Sequence, residues 1–397
     1  MSSMSYMEKL LDGVEVEWTV LGDKHVIEVA NSGRKPVKSS LRVSGKTPYY
    51  GANNIQDYVE GYTHDGQFLL IAEDGSASLK KYSIQYAIGK FWANNHVHVL
   101  RGKSGLNTRF LYHYLCIVNF IPFLTGGGRA KLTKGKMIEI PVPIPWPENP
   151  EKSLEIQAEI VRILDTFTEL TTELTTELNA RKKQYNYYRD QFLSFEEGEV
   201  EWKTLDDVAN FANGKGHEKD ITEDGEYIVV NSKFISTDGK FAKHSNKQIC
   251  PLLIDDILLV MSDLPNGKAL AKTFIVEADG RYTLNQRIGG ITVKNKDEIL
   301  PKFLHYFLNR TPQLTKYNNG ADQTNLRKDQ ILGVKIPILS ISEQENIVAI
   351  LDKFEALTNS ISEGLPREIA LRQQQYEYYS DLLLSFPKPE AGTAVNT

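Results

Sequence analysis

The chain has 397 residues, 41% of them apolar and 24% charged, with a net charge of −5. At roughly 100–200 residues per domain this predicts two or three units of ordinary soluble globular composition. No basic-then-apolar leader opens the sequence, and the most apolar stretch, Phe110–Leu124, is too short for a bilayer and contains His113, Asn119 and Pro122. A cytoplasmic location without membrane attachment is therefore expected. The two cysteines, Cys116 and Cys250, are widely separated among apolar neighbours, which predicts buried thiols and not a disulfide.

In chain order, residues 1–150 predict a first mixed α/β module, which opens on "EVEW" (Glu15–Trp18) and closes on Pro141, Pro143, Pro145, Pro147 and Pro150, a stiff linker. Residues 151–197 follow as a central helix. From Leu154 to Leu193 there is no Gly or Pro, and two tracks repeat every seven residues. One is Ile160, Phe167, Leu174, Arg181 and Tyr188; the other is Leu164, Thr171, Leu178, Tyr185 and Phe192. Such tracks, held over about five heptads, are the d and a positions of a coiled coil. Residues 198–341 predict a second α/β module, with β-prone runs at Tyr227–Val230, Asp256–Met261 and Thr273–Val276 and a short helix over Phe303–Arg310. Residues 342–390 predict a distal helix that starts on the same tracks (Ile347, Leu351, Phe354, Thr358, Ile361) and breaks at Gly364-Leu365-Pro366. Residues 391–397 predict a disordered tail.

The second half restates the first. "EVEW" recurs at Glu199–Trp202, "RFLYHYL" (Arg109–Leu115) is echoed by "KFLHYFL" (Lys302–Leu308), and "IVRILDTF" (Ile160–Phe167) by "IVAILDKF" (Ile347–Phe354). "LTKGKMIEIPVPIP" (Leu132–Pro145) is echoed by "LRKDQILGVKIPIL" (Leu326–Leu339), and "RKKQYNYYRDQFLSF" (Arg181–Phe195) by "RQQQYEYYSDLLLSF" (Arg372–Phe386). The fold class is thus α+β: two mixed α/β modules separated by two long helices that pair as an antiparallel coiled coil, an internal repeat with a pseudo-two-fold axis. Tyr187 and Tyr378 stand one residue off the seam in both copies, where an outward aromatic suits contact with another protein.

No HExxH, CxxC, phosphate loop or dinucleotide fingerprint is present, which argues against catalysis by the chain alone. Charge is unevenly placed. Residues 1–150 carry 17 Lys+Arg against 13 Asp+Glu, and residues 199–341 carry 19 of each. The helical segments are acidic, so any DNA contact belongs to the modules. Their loops are rich in groups that bind phosphates and base edges. "SGKTPYYGANN" offers Lys46 for phosphate, Tyr49 and Tyr50 for sugars, and Asn53 and Asn54 for adenine edges. "GGGRAKL" offers Arg129 and Lys131; at the matching place in the second half, "GADQTNLRK" offers Gln323, Asn325, Arg327 and Lys328. Lys215, Lys233 and Lys268 lie in other Gly/Asn-flanked loops. Arg prefers guanine O6/N7 and Asn or Gln prefers adenine N6/N7.

The long-helix repeats, with "LPREIALRQQQYEYYSDLLLSF" (Leu365–Phe386) and "TPYYGANNIQDYVEGYTHDGQFLLIAEDGS" (Thr47–Ser76), resemble the specificity subunit of type I restriction–modification enzymes over nearly the whole chain. The resemblance implies two target-recognition domains, each reading half of a split, asymmetric site in double-stranded DNA. It also implies two methyltransferase subunits that use S-adenosylmethionine, and motor–nuclease subunits that use ATP and Mg²⁺, with no cofactor in this chain. By the same resemblance the helices and their ends, including Tyr185, Tyr188, Tyr376 and Tyr379, are partner-binding. Two rival readings are a coiled-coil scaffold with peptide-binding modules, and a stand-alone nuclease or methyltransferase. Salt-sensitive, sequence-specific duplex binding separates the first reading from the scaffold; turnover by the purified chain would favour the third.

Overall fold

The structure is a computed structural model and describes residues 13–386 apart from 14, 127–129, 197, 199, 218, 265–268 and 360–362. Ile361 of the predicted seam and the predicted tail lie outside the described residues. The chain divides into two compact units. One comprises the chain to Thr176 together with the segment from Arg367 on; the other runs from Glu177 to Pro366.

In the first unit the strands are β1 (Val16–Val20), β2 (Ile27–Val29), β3 (Ser44–Tyr50), β4 (Ile55–Val59), β5 (His64–Ala72), β6 (Ile84–Ala93), β7 (Val97–Gly102) and β8 (Pro141–Pro145). Six form one mixed sheet in the order β2-β7-β5-β6-β3-β4, and β1 pairs with β8. The proline run is therefore a strand where a linker was expected. Each Pro there lacks an N–H but keeps an acceptor carbonyl, which a two-stranded ribbon with free outer edges tolerates. Helices α1 (Thr108–Ile117) and α2 (Lys134–Met137) cover the module. The 43-residue helix α3 (Pro150–Phe192) begins here.

The second unit holds β9 (Glu201–Thr204), α4 (Leu205–Val208), β10 (Ala209–Asn213), β11 (Ile221–Thr222), β12 (Tyr227–Val230), α5 (Ser232–Ser236) and β13 (Lys243–Ser245). There follow β14 (Ile257–Val260), β15 (Ser262–Asp263), β16 (Thr273–Ile275), β17 (Tyr282–Leu284), β18 (Ile288–Val293), α6 (Pro301–Leu308) and α7 (Pro312–Thr315). The unit's module closes with β19 (Thr324–Asn325), α8 (Lys328–Leu332) and β20 (Lys335–Ile338). Its sheets run β10-β18-β14-β16 and β11-β13-β12-β17, with short pairs β15-β19 and β20-β9. The β-prone runs of the sequence are β12, β14 and β16, and the short helix is α6.

The two modules share a frame and differ in their sheets. In both, the "EVEW" strand pairs antiparallel with the strand leading to a long helix, and a Trp faces a Pro: Trp18 opposite Pro143, and Trp202 opposite Pro337. The distal helical segment divides, as Gly364-Leu365-Pro366 predicts, into α9 (Ile341–Asn359) and α10 (Gly364–Leu384). Gly364 has φ +71°, and a Cβ there would stand 2.5 Å from the carbonyl oxygen of Ala356; only glycine fits this turn. The break places α9 in the second unit and α10, from Arg367 on, in the first.

The seam is real. All ten predicted positions of α3 are buried or half-buried, whereas Glu169, Glu173, Glu177 and Lys182 between them are exposed. In the first unit Phe167 stacks on Tyr379 at 5.2 Å, and Ile160 and Leu164 share a core with Leu383 and Leu384. In the second, Tyr188 stacks on Phe354 at 5.8 Å while Phe192 joins Ile347. Rising numbers on α3 meet falling numbers on its partner in both units, so each pairing is antiparallel. Cys116 departs from expectation: it is exposed, and Cys250 is half-buried, both as free thiols.

Candidate nucleic-acid interface

Each module is bolted to its helix by the same device. Gln157 of α3 and Gln344 of α9 are fully buried. Gln157 accepts from the Asn107 N–H at 2.8 Å and donates to the Gly105 carbonyl at 2.9 Å. Gln344 does the same with the Leu300 N–H and the Glu298 carbonyl, at 2.8 and 2.9 Å. Two turns on, Asp165 holds Arg109 at 2.7 Å and His113 at 2.8 Å, and Asp352 holds Lys302 and Tyr306, both at 2.6 Å. The echo of "RFLYHYL" in "KFLHYFL" is therefore an anchor, with cation and hydrogen-bond donor kept and their identities changed.

The two anchors respond to acid in opposite senses. Burial holds His113 below its ordinary pKa, so it is neutral. Burial would raise Asp165, but hydrogen bonds from His113 and Arg109 prevail and lower it. Both groups stabilise the first unit above their unfolded pKa values, and that contribution is lost as pH falls. In the second unit the one Tyr306 proton faces two carboxylates, Asp352 at 2.6 Å and Glu355 at 2.7 Å. Burial first, then Asp352, raises Glu355. That contribution is present below the unfolded Glu pKa and is lost as pH rises. Chemical denaturation between pH 4 and 7 should therefore show Glu355→Gln flattening an alkaline-going loss in the second unit and leaving the acid-going loss of the first. Equal slopes in parent and variant would contradict this.

In the first module the candidate residues meet with mixed results. Lys46 is exposed on β3. Tyr49 is only 1% exposed, its hydroxyl 3.1 Å from the Val37 N–H and its ring stacked on Trp92, so it is a core residue and cannot pack on a sugar. The Asn53 carboxamide donates to the Gly75 carbonyl and accepts from the Ala77 N–H, both at 2.8 Å. It clamps a loop, and Asn54 beside it is exposed. Lys131 bridges to Asp74 and pairs with Glu73 at 3.0 Å, which holds its pKa up. Asn53 and Lys131 thus converge on the 73–77 loop. Arg129 lies outside the described residues.

In the second module the structure assembles what the sequence scatters. β12 and β17 are parallel, with Val230 opposite Leu284, so both end at one edge. Each is followed at once by a polar triplet, Asn231-Ser232-Lys233 and Asn285-Gln286-Arg287, and the Asn285 N–H donates to the Val230 carbonyl at 3.2 Å. With Lys243 of β13 these triplets line a cleft of about 610 Å³ that has no acidic residue in its lining among the described residues. Buried His217 supports the rim: its Nδ1 donates to the Lys215 carbonyl at 2.8 Å, and its Nε2 meets the Thr283 hydroxyl at 2.9 Å. Lys215 itself is exposed and bridges Asn285.

The Met261 N–H donates to the Arg287 carbonyl at 3.2 Å, and its own carbonyl accepts from Leu326 at 2.7 Å. The "QTNLRK" segment therefore joins the same rim. Gln323, Asn325, Arg327 and Lys328 are all exposed there. The Gln323 amide donates to Ser262 Oγ at 2.9 Å, and Arg327 lies 3.6 Å from Asp329. Lys233 and Lys215 are thus brought together with this segment. Asn231, Lys243, Asn285, Gln286 and Arg287 were not singled out from the sequence. The signal for the triplets was an Asn-x-Lys/Arg spacing that occurs twice, once directly after the β-prone run Tyr227–Val230. Lys268 lies outside the described residues.

A model of the type I restriction modification DNA specificity domain matches twice, over residues 15–183 and 197–371. The chain belongs to the type I restriction–modification specificity subunits. It is 47% identical over 406 residues to a Haemophilus influenzae protein assigned as a type I restriction enzyme specificity subunit, covering 97% of this chain and 99% of that one. It is 38% identical to the EcoR124I/EcoR124II specificity subunit of Escherichia coli, covering 98% and 99%. The crystal structure of a type I S subunit from M. genitalium shares the fold, with a TM-score of 0.60 at 16% identity over 97% of this chain and all of that one. The specificity subunit is the non-catalytic, DNA-specificity component of a type I restriction–modification complex, and cofactors belong to its partner subunits. Among the described residues of this specificity subunit no helix is long and apolar enough to cross a membrane.

The helix tyrosines sort into two kinds. Tyr185 is buried, Tyr376 gives its hydroxyl to His113 at 3.1 Å, and Tyr188 and Tyr379 stack in the seam. Tyr187 and Tyr378 are 59% and 64% exposed. Beside each stands the same ladder of polar contacts. Glu177 pairs with Arg181 at 2.7 Å and Arg181 donates to Gln184 at 2.8 Å; Glu368 pairs with Arg372 at 2.6 Å and Arg372 donates to Gln375 at 2.8 Å.

Proposed function

We propose that each module of this specificity subunit reads one half of a split, asymmetric site in double-stranded DNA, inside bacterial cytoplasm. The helices carry the unread gap between the half-sites and dock two methyltransferase subunits, to which motor–nuclease subunits attach. One observation carries this reading: two modules keep the same Trp–Pro strand pair and the same helix anchors, yet build different sheets and loops. A shared frame with divergent polar loops suits two readers for two sequences. Domain limits near residues 150, 197 and 341 follow from the same division. Mapping methylated adenines in DNA from cells that make the chain with its methyltransferase tests it. A motif of two unlike short half-sites at a constant gap is expected; a continuous motif would refute it.

The matched Glu–Arg–Gln ladders with Tyr187 and Tyr378 are the docking faces in this reading. Exposed tyrosines are typical anchors of protein interfaces. Tyr187→Ala and Tyr378→Ala should each weaken titration by the methyltransferase about tenfold and leave the melting temperature of the free chain unchanged. Tyr185→Ala, in contrast, should lower that temperature, because its ring is in the core.

A further inference from the structure

We infer that Asn285, Gln286 and Arg287, at the ends of the parallel strands, read purine edges in the half-site of the second module, while Lys233 and Lys243 hold the adjoining phosphates. This rests on the reading that the second module binds one half of a split site.

Three observations support it. The module is electrically balanced overall, with 19 Lys+Arg and 19 Asp+Glu over residues 199–341. Its cleft nevertheless gathers Lys233, Lys243 and Arg287 with no acid in the lining among the described residues. Several cations elsewhere in the module are neutralised: Lys247 by Asp220, Lys272 by Asp238 and Lys296 by Asp255, each at 2.7 Å. A segregated set of cations selects a polyanion and speeds its arrival.

The second observation is chemical. The 285–287 turn carries two carboxamides and a guanidinium, side chains that pair bidentately with adenine N6/N7 and guanine O6/N7. The third is rigidity. The turn is tied at both ends, by Asn285 N–H to the Val230 carbonyl and by Met261 N–H to the Arg287 carbonyl. His217 fixes the neighbouring Lys215 loop from beneath. Readers on the ends of paired strands hold their register better than readers on a free loop. Lys233 is placed differently: its ammonium lies 4.7 Å over the exposed Phe241 ring, a contact that leaves it on the outer wall where a phosphate would pass.

The test is methylated-adenine mapping with the assembled methyltransferase complex, carried out for the parent chain, Arg287→Ala, Arg287→Lys, the Asn285→Ala/Gln286→Ala pair and Lys233→Ala/Lys243→Ala. Arg287→Ala should relax base identity at one position of one half-site by about 10- to 100-fold, with the other half-site and the gap unchanged. Arg287→Lys should recover part of that discrimination. The double Asn/Gln variant should relax a neighbouring position of the same half-site. The double lysine variant should keep the motif but weaken binding at every sequence, and lower the salt slope by about two. Melting temperatures near that of the parent show that each variant is folded. An unaltered motif in folded Arg287→Ala and Asn285→Ala/Gln286→Ala complexes overturns the inference while the split motif of the parent still stands. A parent motif that is not split overturns the underlying reading instead.

Discussion

Inserting one Thr-Glu-Leu-Thr unit into the stretch Thr168–Leu178 should widen the unread gap by about two base pairs and leave both half-sites unchanged. The stretch is a four-residue repeat within one continuous 43-residue helix. Every threonine in it folds its hydroxyl back to the carbonyl four residues earlier: Thr168 at 3.1 Å, Thr171 at 2.7 Å, Thr172 at 2.8 Å, Thr175 at 2.7 Å and Thr176 at 2.9 Å. The leucines Leu170, Leu174 and Leu178 recur at the same spacing and are all half-buried. A further unit reproduces both patterns, so the seam receives the residue types it already has. Four residues add about 6 Å and a net rotation of roughly 40°. Two base pairs add about 7 Å and roughly 70° at 10–10.5 pairs per turn. The lengths agree, and the angular difference is small enough for DNA twist to absorb. A three-residue insertion is the control: it turns the helix back by roughly 60° and moves polar side chains into the seam, and should abolish methylation. Methylated-adenine mapping reads both. A changed half-site at constant gap, in the four-residue variant, would contradict the role given to the helix.

Asp165→Ala should cost the first unit about 3 kcal/mol, and Asp352→Ala a smaller amount in the second, about 1 kcal/mol. Asp165 receives both Arg109 and the fully buried His113. Removing it strands a buried imidazole N–H and a half-buried guanidinium, and an unsatisfied buried donor costs about 1–3 kcal/mol, more for a charged group. In the second unit the loss of Asp352 leaves Lys302 unpaired but leaves Tyr306 with Glu355, so the hydroxyl keeps an acceptor. Its cost should therefore fall at the lower end. Denaturant unfolding with a probe in each unit measures both. Equal melting of parent and Asp165→Ala would show that this anchor is not what joins module to helix.

The legibility of these features follows their range in the chain. The seam of α3 is a pattern of residue i with i+7, so one sequence sufficed to place all ten positions. The recurrence of "EVEW" and of the helix-start segments was visible because the duplication writes each of them twice, and the Gly364 break was visible as a Gly-Leu-Pro that the first helix lacks. The pairing of the "EVEW" strands and the helix anchors emerged only in the fold. The same redundancy separated frame from content: what the halves share builds β1 with β8, β9 with β20, and the Gln157 and Gln344 bolts.

The contents of the reading surface were less accessible. The triplets at Asn231 and Asn285 lie 54 residues apart in the chain, and only the parallel pairing of β12 with β17 makes them neighbours. Local composition also misled. Tyr49 and Asn53 have the right chemistry for DNA, but one is a core ring and the other a loop clamp. Tyr185 and Tyr187 are two residues apart in one repeat, and helical geometry buries the first and exposes the second. The sequence by itself determined the duplicated architecture, the seam and the family, because these are periodic or repeated signals that survive in local order. Tertiary structure alone decided which polar loops share a cleft, and that α9 and α10 serve different units, because both depend on contacts between distant segments that leave no periodic trace.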